Sequence, residues 1–352
     1  MDGKRELLKL KDSNRIWSRK DERKKRPLVL CANASVTERV GATVVSLQAR
    51  KAPESNNASP PGPSLSKYWA EELTKAMSYV DMPVEREYVS DAFMSMVKNQ
   101  SRNTFRSCDI PKAVTAGMRA VLVNWIVQVH EYLGLEEETL YLAVYLMNSY
   151  MKVHRIRTPL LQLLATACLY LACKLEESLI PEPAELCFMM EDSFSKKELL
   201  KMERKVLCRL RFDLHYTQPL HFLNLLSMVG KCPDTVHYLA MYLMELTLLE
   251  ADGVLIEPAL LAISALTLAQ KVSLESGCLN PDQIWHTAPQ LYSYSDSDLS
   301  TTQQLMAKAA LLASSSETKS TFQKYSRSQK LGVSTGPALA NSKHLARCMG
   351  AL

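Results

Sequence analysis

The sequence predicts an all-α fold of two five-helix units in tandem, preceded by an amino-terminal helix and flanked by disordered tails. Three observations predict it. Strong helix formers (Leu, Ala, Met, Lys, Glu) are abundant while glycine is scarce, at 11 of 352 residues. Apolar residues recur at three- and four-residue spacing from about residue 84 onward. The same order of helices, with the most apolar one in the middle, occurs twice, as a repeat of pattern rather than of residue identity.

Residues 1–82 read as a disordered tail. Ser18 to Pro27 is a charge cluster, mostly basic, and Pro53 to Ser64 is too rich in Pro, Ser and Asn to bury enough apolar surface to offset chain entropy. Residues 83–213 hold the amino-terminal helix and the first unit. That helix is predicted over Pro83 to Asn99, where Tyr88, Ala92 and Met96 share a stripe with Val89 and Phe93 beside it. The first unit's helices follow. Met118 to Leu133 stops at Gly134, a suitable C-cap. Glu137 to Val153 has acids in its first turn, which suits the helix dipole. The central one starts at Thr158-Pro159 and runs to Glu177; it is too apolar for a surface helix, so the others surround it. Pro183 to Met190 is short, and Ser195 to Leu210 opens with the capping box Ser195-Lys196-Lys197-Glu198. Residues 214–315 repeat the order: Pro219 to Val229, Asp234 or Thr235 to Glu250, an apolar Pro258 to Val272, a short Pro281 to Tyr292, and Ser297 to Ala313. Residues 316–352, rich in Ser, Thr, Lys and Gly, read as a loosely ordered tail.

Composition excludes several classes. The nine cysteines form no C-x-x-C pair and several lie in apolar helical stretches, which points to a reducing compartment without a disulfide framework or zinc site. The first residues are too charged for a secretory signal. The apolar run Pro159 to Cys173 falls short of the roughly 20 residues of a membrane span, so no membrane partner is expected. A formal charge of +5, much of it in the tails, does not imply nucleic acid. No P-loop, H-E-x-x-H or G-x-S-x-G motif occurs, and no cofactor or metal is expected.

Four ordered motifs carry a family resemblance. Met118-Arg119-Ala120-Val121-Leu122-Val123-Asn124-Trp125-Ile126-Val127-Gln128-Val129, Leu171-Ala172-Cys173-Lys174-Leu175-Glu176-Glu177, Lys201-Met202-Glu203-Arg204-Lys205-Val206-Leu207 and Tyr242-Leu243-Met244-Glu245-Leu246-Thr247-Leu248-Leu249 resemble the signatures of the cyclins, most closely the B-type mitotic cyclins. The resemblance covers about residues 84 to 340 and implies two tandem cyclin boxes. It implies a regulatory subunit, not an enzyme, that binds and activates a cyclin-dependent kinase, recruits its substrates and controls the cell cycle from nucleus and cytoplasm. Lys174 and Glu203 would hydrogen-bond the backbone of the kinase's mobile helix, with Leu175, Leu207, Phe212 and Leu214 as the apolar contact around them. Met118, Val121, Leu122, Trp125 and Gln128 share one helical face, and with Gln162 the resemblance makes it a docking patch for substrate or inhibitor peptides carrying Arg-x-Leu. Periodicity by itself favours a buried core for that stripe.

The chain departs from the family at two structural positions. Asn124 and Asn148 stand where the family has Asp, and the resemblance pairs buried Arg119 with the second of these acids. Losing it leaves Arg119 short of a charge partner, which is costly unless another is found. Two alternatives follow: a kinase-binding scaffold without full activation, and a cyclin-fold transcription factor. Against the latter stand the missing zinc ribbon and the acidic second unit. In the amino tail, Arg5 to Asn14 supplies only half of a B-type degradation box.

Overall fold

A computed structural model provides the structure, describing residues 67–79, 87–106, 109, 111, 113–280 and 294–348, all of one unit. The basic cluster, the Arg5 to Asn14 half-box, the first residues of the helix expected from Pro83 and the short helix expected at Pro281 to Tyr292 lie outside the described residues. Every extended element that is described is helical. α1 (Lys67–Tyr79) and α2 (Val89–Asn99) precede the first box: α3 (Ala116–Leu133), α4 (Glu137–Val153), α5 (Leu161–Glu176), α6 (Pro183–Met189) and α7 (Lys196–Arg209). The second box holds α8 (Pro219–Val229), α9 (Asp234–Leu249), α10 (Pro258–Glu275) and α11 (Asp296–Leu312). Three short helices follow, α12 (Ser320–Tyr325), α13 (Pro337–Ala340) and α14 (Lys343–Cys348).

Local chemistry sets most of the boundaries. Thr115 caps α3, its side chain accepting from the Met118 amide at 3.2 Å, so the helix starts two residues before the motif. Gly134 ends it at φ 63°, where a side chain would be strained. The Ser195–Glu198 capping box is made in both directions. Pro219 and Pro258 sit in the first turns of α8 and α10, where a missing N–H costs nothing. Thr158-Pro159 opens a 3₁₀ turn before α5.

α5 and α10 are the hubs. Leu161 and every residue from Leu163 to Cys173 are buried, with α4 and α7 packed on α5, while α10 is ringed by α8, α9 and α11. The stretch Thr158–Glu176 is in fact long and apolar enough to span a bilayer by length and composition, but 67% of it is buried inside the protein, as a core helix requires. The boxes meet where α3 packs on α9. Buried Gln100, just after α2, ties the amino-terminal segment to the second box: its Oε1 accepts from the Ala259 amide at 2.8 Å and its Nε2 donates to Tyr294 Oη at 3.0 Å.

Two expectations are corrected. Residues 67–79, placed in the disordered tail, form α1, which buries Leu73, Ala76 and Met77 and packs on α8. Residues 316–352, read as a loose tail, return to the body. α12 lies against α3 and α9, and α14 against α10 and α11. Lys324 anchors the returning segment: its side chain is 0% exposed and contacts three carboxylates, Glu137 at 2.5 Å, Glu245 at 2.6 Å and Glu131 at 4.0 Å. Lys330 adds a second contact to Glu137 at 2.6 Å, and Arg327 one to Glu131 at 2.7 Å.

Candidate functional site

Lys174 lies in the last turn of α5 and Glu203 midway along α7; these two helices pack together, which brings the side chains into an ion pair. The Lys174 ammonium also sits 4.3 Å from the centre of the Tyr170 ring. The pair is graded in exposure, 37% for the Lys174 side chain and 10% for Glu203. The Lys174 ammonium reaches solvent while Glu203 is buried, so an outside partner meets the pair from the lysine end. The neighbouring acids of the motif are structural instead. Glu177 caps α4, accepting from the Glu136 amide and Thr139 Oγ1 at 2.7 Å each, and Glu176 accepts from Gln218 Nε2 at 3.0 Å.

An apolar surface accompanies the pair. Leu175 is exposed, Phe212 is 68% exposed, and Leu207 and Leu214 are partly buried against the core. Arg211 and Phe212 both have left-handed φ, 54° and 60°, rare for residues with a side chain. That turn after α7 holds Phe212 outward. Reasoning from the motifs missed Phe188, 65% exposed on α6, and exposed Leu179, Ile180 and Leu200. They lie on the α5–α6 connection, on α6 and on α7, which pack as one group. Helices as short as α6 carry too few residues for periodicity to show which face is left bare.

The stripe on α3 divides. Trp125, 1% exposed, and Leu122 are core residues, which corrects their assignment as contact residues of an open docking face. They are buried because α3 is enclosed by α5, α9 and α12. Val121 is exposed, and Met118, Gln128 and, on α5, Gln162 are half-buried. Trp125 Nε1 and Gln128 Oε1 are both buried without a hydrogen-bond partner.

Arg119 has found substitutes for a carboxylate. Its Nε donates to Asn148 Oδ1 at 3.3 Å, and its Nη1 to the carbonyls of Leu248 at 2.7 Å and Glu250 at 3.2 Å. Those carbonyls end α9 and carry the negative end of its dipole. Burial still lowers the Arg119 pKa to about 10, partly offset by the charge of Glu250, and Nη2 has no partner. Asn124 meets a different need: its Oδ1 accepts from the Ser320 amide at 2.9 Å and so holds the start of α12. The sequence offered no signal for that contact, because its partner lies 196 residues away. Among the described residues, no group of three His, Cys, Asp or Glu is placed to hold a metal ion.

These features define an all-α protein of two helical boxes whose first box presents an apolar face around a half-exposed ion pair. The cyclin amino-terminal domain family matches residues 91–215, and the cyclin carboxy-terminal domain family matches residues 217–339. The chain is 36% identical to G2/mitotic-specific cyclin-B2 of Gallus gallus over 261 residues, 73% of this chain and 63% of that protein. It is 34% identical to G2/mitotic-specific cyclin-B of Patella vulgata over 229 residues, 65% of this chain and 55% of that protein. A viral cyclin from herpesvirus saimiri shares the fold at a TM-score of 0.50 and 20% identity, covering 61% of this chain and 97% of that one. The chain belongs to the cyclin family and is similar to its B-type members. It spans less than two thirds of the length of these curated relatives.

Proposed function

We propose that the protein is a regulatory subunit that binds and activates a cyclin-dependent serine/threonine kinase, without catalysing a reaction itself. The observation that carries this is the Lys174–Glu203 ion pair, half-exposed and accompanied by the bare side chains of Leu175 and Phe212. A kinase needs its Lys–Glu ion pair assembled before phosphoryl transfer. A partner that binds the kinase's regulatory helix only in the active position shifts that equilibrium, and about 5.5 kcal/mol of differential binding moves it from 1:99 to 99:1. Lys174 and Glu203 would satisfy backbone groups of that helix, and Leu175, Leu207, Phe212 and Leu214 would cover its apolar side.

Recruitment of Arg-x-Leu peptides belongs to the same proposal, in a narrower form. Met118, Val121, Gln128 and Gln162 would make the contact, over a floor of buried Leu122 and Trp125. Cell-cycle control, with residence in nucleus and cytoplasm, completes the reading. Purification of the tagged full chain with each of a panel of cyclin-dependent kinases, followed by histone phosphorylation, tests it. One kinase should co-purify and gain activity. Binding without activation would reduce the function to scaffolding, and binding to none would refute it.

A further inference from the structure

A cavity of about 500 Å³ opens between the segment after α2, the end of α4 and the turn after α7. Arg102, Lys152, Arg209 and Arg211 line it, against a single lining acid, Asp213. Lys152 is held by Asp109 at 3.0 Å. No ion pair engages Arg102, Arg209 or Arg211 among the described residues, so three arginines line one cavity with little charge to balance them. One wall is aromatic. Phe105 meets Tyr145 edge-on at 5.8 Å, and Tyr145 stacks on Tyr216 at 4.1 Å.

The convergence is built by the backbone. α7 ends at Arg209, and the left-handed residues Arg211 and Phe212 reverse the chain so that residues 208–211 and Asp213 line the cavity. Favourable interaction with the dipole of α7 accounts for Arg209 alone. It does not account for Arg102, which arrives from a segment more than 100 residues earlier, or for Arg211 beyond the helix end.

We infer that this cavity binds a phosphorylated side chain of a partner peptide. Guanidinium forks match phosphate oxygens bidentately, and a phosphate at neutral pH carries close to two charges and three acceptor oxygens. Three arginines suit that better than a single carboxylate. The volume exceeds what a bare phosphate fills, and Phe105 and Val153 give the apolar part of the ligand a surface. The site adjoins Phe212 but does not depend on it, so its test stands apart from kinase binding.

The test is fluorescence anisotropy of the full chain, without a kinase, using short labelled peptides. Each carries phosphotyrosine, phosphoserine, the unmodified residue or glutamate at its centre. At least one phosphopeptide should bind tenfold or more tighter than its unmodified and glutamate counterparts, and inorganic phosphate should compete weakly. Arg102→Ser with Arg209→Ser should cost that peptide about tenfold in affinity while circular dichroism stays unchanged. Should that variant misfold, the wild type still decides through salt: affinity must fall as ionic strength rises. Equal binding of phosphorylated and unmodified peptides, equal binding of the glutamate peptide, or full affinity in the folded double variant would each overturn the inference.

Discussion

Lys324→Met removes the cation that holds the carboxy-terminal segment. In the folded protein the ammonium serves Glu137 and Glu245 at contact distance, and Glu245 is itself 0% exposed. After the substitution Glu137 keeps Lys330 at 2.6 Å. Glu245 keeps only neutral donors, Thr321 Oγ1 at 3.0 Å and Tyr325 Oη at 3.3 Å. A buried charge stranded in this way costs roughly 3–5 kcal/mol. For a protein of this size that lowers Tm by on the order of 10 °C, measured by scanning calorimetry on the full chain. Adding Glu245→Gln removes the stranded charge and should recover more than half of the loss. The pH dependence has a definite sign. Burial raises the Glu137 pKa, but attraction to Lys324, His130 and Lys330 outweighs it and holds the carboxyl well below its usual value of 4.5. Its stabilisation is therefore full above that value and lost as pH falls. Burial pushes the Glu245 carboxyl up despite Lys324, so acid also eases the cost of stranding it. The Glu245 effect shrinks the difference between wild type and Lys324→Met as pH drops from 7 towards 4, and the Glu137 effect joins it only below about 4.5. A Tm change equivalent to under about 1 kcal/mol, or additive loss in the double variant, would refute the reasoning.

Three further outcomes are expected. Asn148→Asp gives buried Arg119 a carboxylate in place of an amide and should raise stability by roughly 1–3 kcal/mol, read from urea unfolding; a loss would mean that the carbonyls of α9 already satisfy the guanidinium. Gly253→Ala should lower Tm, because an added Cβ would lie 2.1 Å from the Thr247 carbonyl oxygen and force apart the turn beside the Arg119 anchor. Trp125→Ala should cost about 3–5 kcal/mol in unfolding free energy, as a core truncation does, whereas Val121→Ser should leave stability within about 0.5 kcal/mol and weaken capture of Arg-x-Leu peptides in a pull-down.

Local chemistry was legible in the sequence and long-range pairing was not. Gly134, Pro219, Pro258 and the Ser195–Glu198 box each act within one helical turn, and each marks a boundary or cap as expected. The apolar runs identified α5 and α10 as the buried centres. α12 escaped because its six residues look like tail, and the partners that bury Lys324 stand at 131, 137 and 245. α1 escaped because the Pro- and Ser-rich stretch before it dominated the composition, although Leu73, Ala76 and Met77 show helical spacing. At the candidate site, spacing placed Met118, Val121, Leu122, Trp125 and Gln128 on one face of α3. It could not tell which of them α5, α9 and α12 would cover. Lys174 and Glu203 were legible only through the motifs; their mutual ion pair needed the packing of α5 on α7.

Kinase binding through the Lys174–Glu203 face is tested most directly by isothermal titration of the full chain with the co-purifying kinase. The comparison uses wild type, Lys174→Glu, Glu203→Lys and the double swap. The double swap can re-form the internal ion pair with its charges exchanged. If the two side chains serve kinase backbone groups, both single variants and the double swap lose at least tenfold in affinity, with helix content unchanged. Recovery of wild-type affinity in the double swap would show that the pair matters only to the protein's own fold and would contradict the proposed interface.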